Sequence, residues 1–171
     1  RVSVPILSIN TPDPEATITT LIGLQSREVP ILEWDIIRGV RGRNDMGIAA
    51  ESIFKTDEFD VTKGNPVACL ERAADLKKWS LLIVHLAPHW LQDAPYIQAL
   101  WNLRDKFKKI GGQVVLLGKE IRLPAELQDD VVSVDEPLPA TEDLEGILTT
   151  IYRSADVPVP ESLEKPVEAV R

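Results

Sequence analysis

The chain has 171 residues, 44% of them hydrophobic and 27% charged, and a formal net charge of −8. That length holds one domain with a full-sized core. The excess of acid argues against general nucleic-acid binding, which needs clustered Lys and Arg to neutralise phosphates, and the single cysteine, Cys69, excludes an intramolecular disulfide.

No apolar run reaches the ~18 residues of a membrane span and no signal-like leader is present, so a soluble, cytoplasmic protein is expected. A chain that starts at Arg1 is read as a fragment or a processed product.

Taken in order, residues 4–10 read as a first strand. Asp13, Pro14 and Glu15 then carry N-cap, first-turn and dipole chemistry for a helix running to about residue 26. Residues 29–37 form a second strand that alternates only in part, as near a sheet edge. The stretch Arg38-Gly39-Val40-Arg41-Gly42-Arg43-Asn44 reads as a mobile basic loop. The pattern from 45 to 64 is weak, with an acidic run at Asp57, Glu58 and Asp60, and is expected to be an exposed excursion or short hairpin. Asn65 and Pro66 open a second long helix carrying Cys69 and Leu70, where the thiol is expected to be a buried structural group.

The run from Trp79 through Leu81-Leu82-Ile83-Val84 is apolar on both faces, as a central strand of a parallel sheet requires, and is expected to end at Ala87-Pro88. A helix from about 93 carries Ile97, Leu100, Trp101 and Phe107 on its buried stripe, ends in positive charge and stops at Gly111-Gly112. Residues 113–118 and 131–134 are the fourth and fifth strands. Pro137-Leu138-Pro139 is a stiff connector, and Thr141 is expected to cap a last helix to about residue 155.

The sum is an α/β three-layer sandwich with a five-stranded, mostly parallel sheet, spanning residues 1–156. Residues 157–171 are a Pro- and Glu-rich linker or tail.

In open α/β sheets ligands sit beyond the carboxyl ends of central strands, so His85, His89 and their neighbours are the first place to look for a site. The two histidines are four apart with Pro88 between them and no third ligand, which leaves no metal site. Arg38, Arg41 and Arg43, with Gly39 and Gly42 giving access to backbone amides, are the candidates for contacting an anion or an acidic partner. Trp34 and Trp101 fall in buried patterns, whereas Trp90, beside the Pro88-His89 turn, is a candidate partner contact together with His89. Lys119 after Gly118 is not a phosphate loop and is given no role. No catalytic residue is assigned.

Two phrases, Pro30-Ile31-Leu32-Glu33-Trp34-Asp35-Ile36-Ile37-Arg38-Gly39 and Leu123-Pro124-Ala125-Glu126-Leu127 through Pro137-Leu138-Pro139, carry a resemblance to the N-terminal region of AAA+ ATPases of the cyanobacterial and chloroplast open-reading-frame-46 type. The resemblance covers residues 4 to 155. It implies a degenerate P-loop or Rossmann-like fold, and a AAA+ module after the tail that supplies ATP, Mg and the oligomer. This chain has no Gly-x-x-x-x-Gly-Lys-Ser/Thr; its first strand runs into Asn10-Thr11-Pro12-Asp13-Pro14, without the glycines and lysine that hold phosphates. The family's central strand typically ends Lys-Asp-Phe-His. Here Leu86-Ala87-Pro88-His89 matches only in His89.

The expected function is therefore a non-catalytic N-terminal domain serving subunit, partner or substrate interaction, with no nucleic acid and no membrane span. The alternatives are a stand-alone adaptor within a larger assembly and, last, an independent small-molecule enzyme.

Overall fold

Leu81–Val84 and Val114–Leu117 are apolar at every position, so neither run has a polar face to turn to water, and both lie in the middle of the sheet. The computed structural model describes residues 4–56, 59–137, 141–160 and 162. Its strands are β1 (Ile6–Asn10), β2 (Ile31–Asp35), β3 (Gly39–Gly42), β4 (Lys55–Thr56), β5 (Phe59–Asp60), β6 (Leu81–Val84), β7 (Gln113–Gly118) and β8 (Val131–Asp135). The helices are α1 (Pro14–Leu24), α2 (Asp45–Ala50), α3 (Pro66–Ala73), α4 (Ala87–Trp90), α5 (Ala94–Ile110) and α6 (Thr141–Ser154). Six strands form one sheet in the order β3-β2-β6-β7-β1-β8, parallel except for β3, and β4 pairs with β5 in a separate hairpin.

The sheet divides two cores. On one face Leu32, Trp34, Leu82, Val84, Val114 and Leu116 meet Leu70 and Ala73 of α3 and Leu100, Leu103 and Phe107 of α5. On the other, Ile9, Ile31, Leu81, Ile83, Val115 and Leu117 meet Ile18, Leu21 and Ile22 of α1. The expected three-layer α/β arrangement is present. The local signals behind it are also in place. Asp13 Oδ1 accepts from Ala16 N (3.2 Å), Asn65 Oδ1 accepts from Ala68 N (3.0 Å), and Gly111 ends α5 at φ +70°. Cys69 is buried, which pushes its thiol pKa up and keeps it inert.

Three expectations are corrected. The sheet has six strands rather than five, because the basic stretch at 38–44, read as a mobile loop, contributes β3. Glycine makes that strand possible: a Cβ on Gly39 would lie 2.0 Å from Asp60 Oδ2, and one on Gly42 would lie 2.1 Å from Ile48 N. The edge amides of β3 are occupied by side chains, with Val40 N–H donating to Thr62 Oγ1 (3.2 Å) and Gly42 N–H to Glu51 Oε1 (2.8 Å). Second, the central strand stops at Val84, three residues short of Ala87, because Leu86 turns the chain in the left-handed region (φ +53°). Trp79 lies outside this strand, at φ +66° and 53% exposed. Third, Thr141 is the first residue of α6 rather than its cap.

The chain divides into two units, Arg1–Glu136 and Pro137–Arg171, and α6 belongs to the second. The expected acidic pair Asp57 and Glu58, the Leu138-Pro139 connector, the supporting side chains of Glu142 and Asp143, and the tail from 163 onward lie outside the described residues. Among the described residues no helix is long and apolar enough to cross a membrane.

Candidate functional site

Alternation along β2 sends Leu32 and Trp34 into the α3/α5 core and turns Glu33 towards α1, beside the ends of its neighbours. A carboxylate only 5% exposed needs partners, and Glu33 has three. Arg43 Nη1 donates at 2.8 Å, Arg38 Nη2 at 3.3 Å, and His85 Nε2 lies 2.9 Å from Oε1. The His85 hydrogen bond, helped by the charges of His85, Arg43 and Arg38 and opposed by burial, holds Glu33 below its ordinary carboxyl pKa. Arg43 also reaches Glu15 on α1 (2.7 Å), and Arg38 pairs with Asp35. The cluster thus ties together β2, β6, α1 and the two ends of β3.

His85 is fixed from several sides. Its amide donates to Trp34 O (3.2 Å), and its carbonyl accepts from Trp90 Nε1 (3.0 Å). Trp90 in turn sits edge-on to Trp34 with centroids 5.7 Å apart. An ionised Glu33 can only accept, so His85 Nε2 carries the proton of that bond, and Nδ1 is left over. Beyond His85 a cavity of about 650 Å³ opens at the carboxyl ends of β1, β6 and β7. Thr11 borders it from the β1–α1 turn, Pro14 from the start of α1, Leu86 from just before α4, Pro88 and His89 from α4, and Gly118, Lys119, Glu120 and Arg122 from the β7 end. Gly118 is packed so closely that an added Cβ would lie 2.4 Å from Pro88 Cδ.

The β1–α1 turn is closed by its own side chains. Thr11 Oγ1 accepts from Asp13 N (3.0 Å), the Thr11 and Thr17 hydroxyls are 2.7 Å apart, and Thr17 Oγ1 donates to Glu136 Oε2 (2.6 Å). Two carboxylates, Asp13 and Glu136, therefore stand where a helix start would otherwise attract an anion. The residues present do not fit a nucleoside triphosphate with its magnesium. Among the described residues no cluster of His, Cys, Asp and Glu could hold a metal.

The residues singled out in the sequence distribute as follows. Arg38 and Arg43 converge on Glu33. Arg41 lies opposite Glu33 in the β2–β3 ladder but is exposed and forms no ion pair among the described residues. Gly39 and Gly42 pack against Asp60 and the start of Ile48. His89 lines the cavity with His85, and half-buried Trp90 supports the wall. Sequence reasoning missed Glu33, Lys119 and Arg122. The signal for Glu33 was an acid between Leu32 and Trp34 in a buried run, with arginines close behind. Lys119 and Arg122 were placed only by the turn after β7.

Residues 1–136 match the sequence profile of the SpoVK-like AAA ATPase, N-terminal domain. No curated protein matches the chain. Among solved structures, a chain of the E. coli MS115-1 HORMA:CdnC:Trip13 complex superposes with a TM-score of 0.56 at 14% identity, over 99% of this chain and 58% of that one. A chain of Drosophila ORC bound to DNA gives a TM-score of 0.50 at 16% identity, over 88% of this chain and 41% of that one. These likenesses establish a shared α/β fold, and the chain spans less than two-thirds of either neighbour.

Proposed function

The chain belongs to the family of SpoVK-like AAA ATPase N-terminal domains, and from that premise we propose that it is the non-catalytic interaction domain of a longer AAA+ ATPase of the open-reading-frame-46 type. In this reading the domain holds a neighbouring subunit or a protein partner or substrate in the cytoplasm. ATP and magnesium act in a downstream module, and nucleic acid is not a ligand. The observation that carries the reading is the β1–α1 turn. Its amide end is capped by Asp13, backed by Glu136 through Thr17, and lacks the glycines and lysine of a phosphate loop. The assemblies named for the structural neighbours, a HORMA:CdnC:Trip13 complex and ORC bound to DNA, support a role in multi-protein association.

The test is nucleotide binding by the 171-residue chain. A ligand that binds only the folded form must raise its stability, so millimolar ATP with magnesium is expected to leave Tm unchanged. A saturable rise would overturn the non-catalytic reading. Deleting the domain from the parent ATPase is expected to spare hydrolysis by the remaining module and abolish partner or subunit contacts. If the intact protein from its source has a mass near 19.0 kDa, the stand-alone adaptor replaces this proposal.

A further inference from the structure

We infer that the cavity at the carboxyl ends of β1, β6 and β7 is a binding site for a small organic anion, a carboxylate or monophosphate on an apolar body. The cavity holds about 650 Å³, within the range of small-molecule sites. Its charge contrasts with the rest of the chain. The protein carries a net charge of −8, whereas the charged residues lining the cavity are cationic on balance. Lys119 and Arg122, both exposed and both lining the cavity, form no ion pair among the described residues. Glu120 is the acid between them. Two cations against one acid leave a single net positive charge on that wall, which matches one carboxylate or one partly protonated phosphate rather than a triphosphate.

The remaining lining completes the description of the ligand. His85 also lines the cavity, and with Nε2 committed to Glu33 its Nδ1 is the ring atom that remains for a ligand. Leu86, Leu117 and Pro88 supply apolar wall, with Leu86 in the left-handed region (φ +53°) and 54% exposed. A large side chain in that region is uncommon. The ligand class follows: the anion lies on Lys119 and Arg122, a polar atom meets His85 Nδ1, and an apolar ring or chain lies along Leu86 and Leu117. This inference concerns a small-molecule effector and does not depend on which protein the domain contacts.

The test is a titration of the full chain followed by the indole N–H resonance of Trp90, which reports on the His85 carbonyl it is bonded to. Phenyl phosphate and benzoate are the probes, with inorganic phosphate and ATP as comparisons. At least one aromatic anion is expected to shift the signal saturably with Kd of about 1 mM or tighter. Benzoate binding alone would identify a carboxylate ligand, and phenyl phosphate binding alone a phosphate. The double variant Lys119→Ala/Arg122→Ala is expected to weaken binding at least ~10-fold by removing two charge-assisted contacts. Because both side chains are exposed, its fold should be retained, which the unliganded spectrum checks. The inference is overturned by the absence of a saturable shift, by undiminished affinity in the variant, or by inorganic phosphate binding as tightly as phenyl phosphate. ATP binding ~10-fold tighter than phenyl phosphate would also overturn it, and would point to a nucleotide site instead.

Discussion

Glu33 of β2 accepts the Nε2 hydrogen of His85, the residue after β6, at 2.9 Å, and the same carboxylate receives Arg43 from beyond β3. Because the folded state holds Glu33 below its ordinary value of 4.5, folding favours the ionised form. That contribution is complete above the unfolded value and is lost as pH falls through the depressed one. Asp35 adds to it in the same direction: burial opposes ionisation there, but the Arg38 amide, the Arg38 guanidinium and the Ile37 amide outweigh it. Stability from urea unfolding is therefore expected to be flat between about pH 5 and about pH 8 and to fall steadily below pH 5. Glu33→Gln, which cannot ionise, should flatten the acid limb. A variant curve parallel to the wild type would remove Glu33 as its source.

Deleting the carboxylate has a separate cost. Glu33→Ala leaves Arg38, Arg43 and His85 crowded without their shared acid. A fully buried broken pair costs ~3–5 kcal/mol, but Arg38 and Arg43 still reach water, so about 2 kcal/mol is expected. The unfolding midpoint at pH 7 measures it.

Asn44 makes three hydrogen bonds with one side chain. Its Oδ1 accepts from Gly47 N (2.8 Å) at the start of α2 and from Ile31 N (3.1 Å), and its Nδ2 donates to Val29 O (2.7 Å). Loss of an N-cap alone costs ~1 kcal/mol, and two further bonds at ~0.5–1 kcal/mol each bring the expected cost of Asn44→Ala to about 2–3 kcal/mol. A loss below ~1 kcal/mol would mean that water replaces these bonds.

Tyr96 is fully buried, and among the described residues its hydroxyl has no hydrogen-bond partner. Burial drives its pKa upward, so the group stays neutral. An unsatisfied buried hydroxyl is costly, so Tyr96→Phe is expected to raise stability by about 1 kcal/mol, or ~2–4 °C in Tm. A lowered Tm would reveal a partner for that oxygen.

Two glycines should respond in opposite ways. A Cβ at Gly118 meets Pro88 at 2.4 Å, whereas one at Gly23 in α1 meets nothing within 4 Å. Gly118→Ala is expected to cost ~1–3 kcal/mol by overpacking. Gly23→Ala should add ~0.5–1 kcal/mol through helix propensity. Calorimetry of both variants separates steric from conformational effects.

How much of this was legible in the sequence follows from how local each signal is. The parallel sheet showed in the unbroken runs at β6 and β7, and the caps at Asp13 and Asn65 showed because capping acts over three residues. β3 did not show, since Gly39-Val40-Arg41-Gly42 has one apolar side chain. What makes it a strand is remote: Glu51 and Thr62 take its amides, and Asp60 needs Gly39 to be small. The meeting of Glu33 with His85 was hidden for the same reason. They lie 52 residues apart, and only the parallel pairing of β2 with β6 brings them together. Lys119 and Arg122 had no periodic pattern to mark them, and only the course of the turn after β7 brings them to the cavity.

The two side chains bonded to the amides of β3 have a consequence for crowded solutions. A sheet whose last strand has spent its donors offers a second copy no template for zipping on along that border, so polymerisation by strand addition is blocked there without a proline or a bulge. Glu51→Ala, which frees the Gly42 amide at a half-buried position of that border, is the variant that reads this out. The expected sign is concentration-dependent association rather than simple loss of stability.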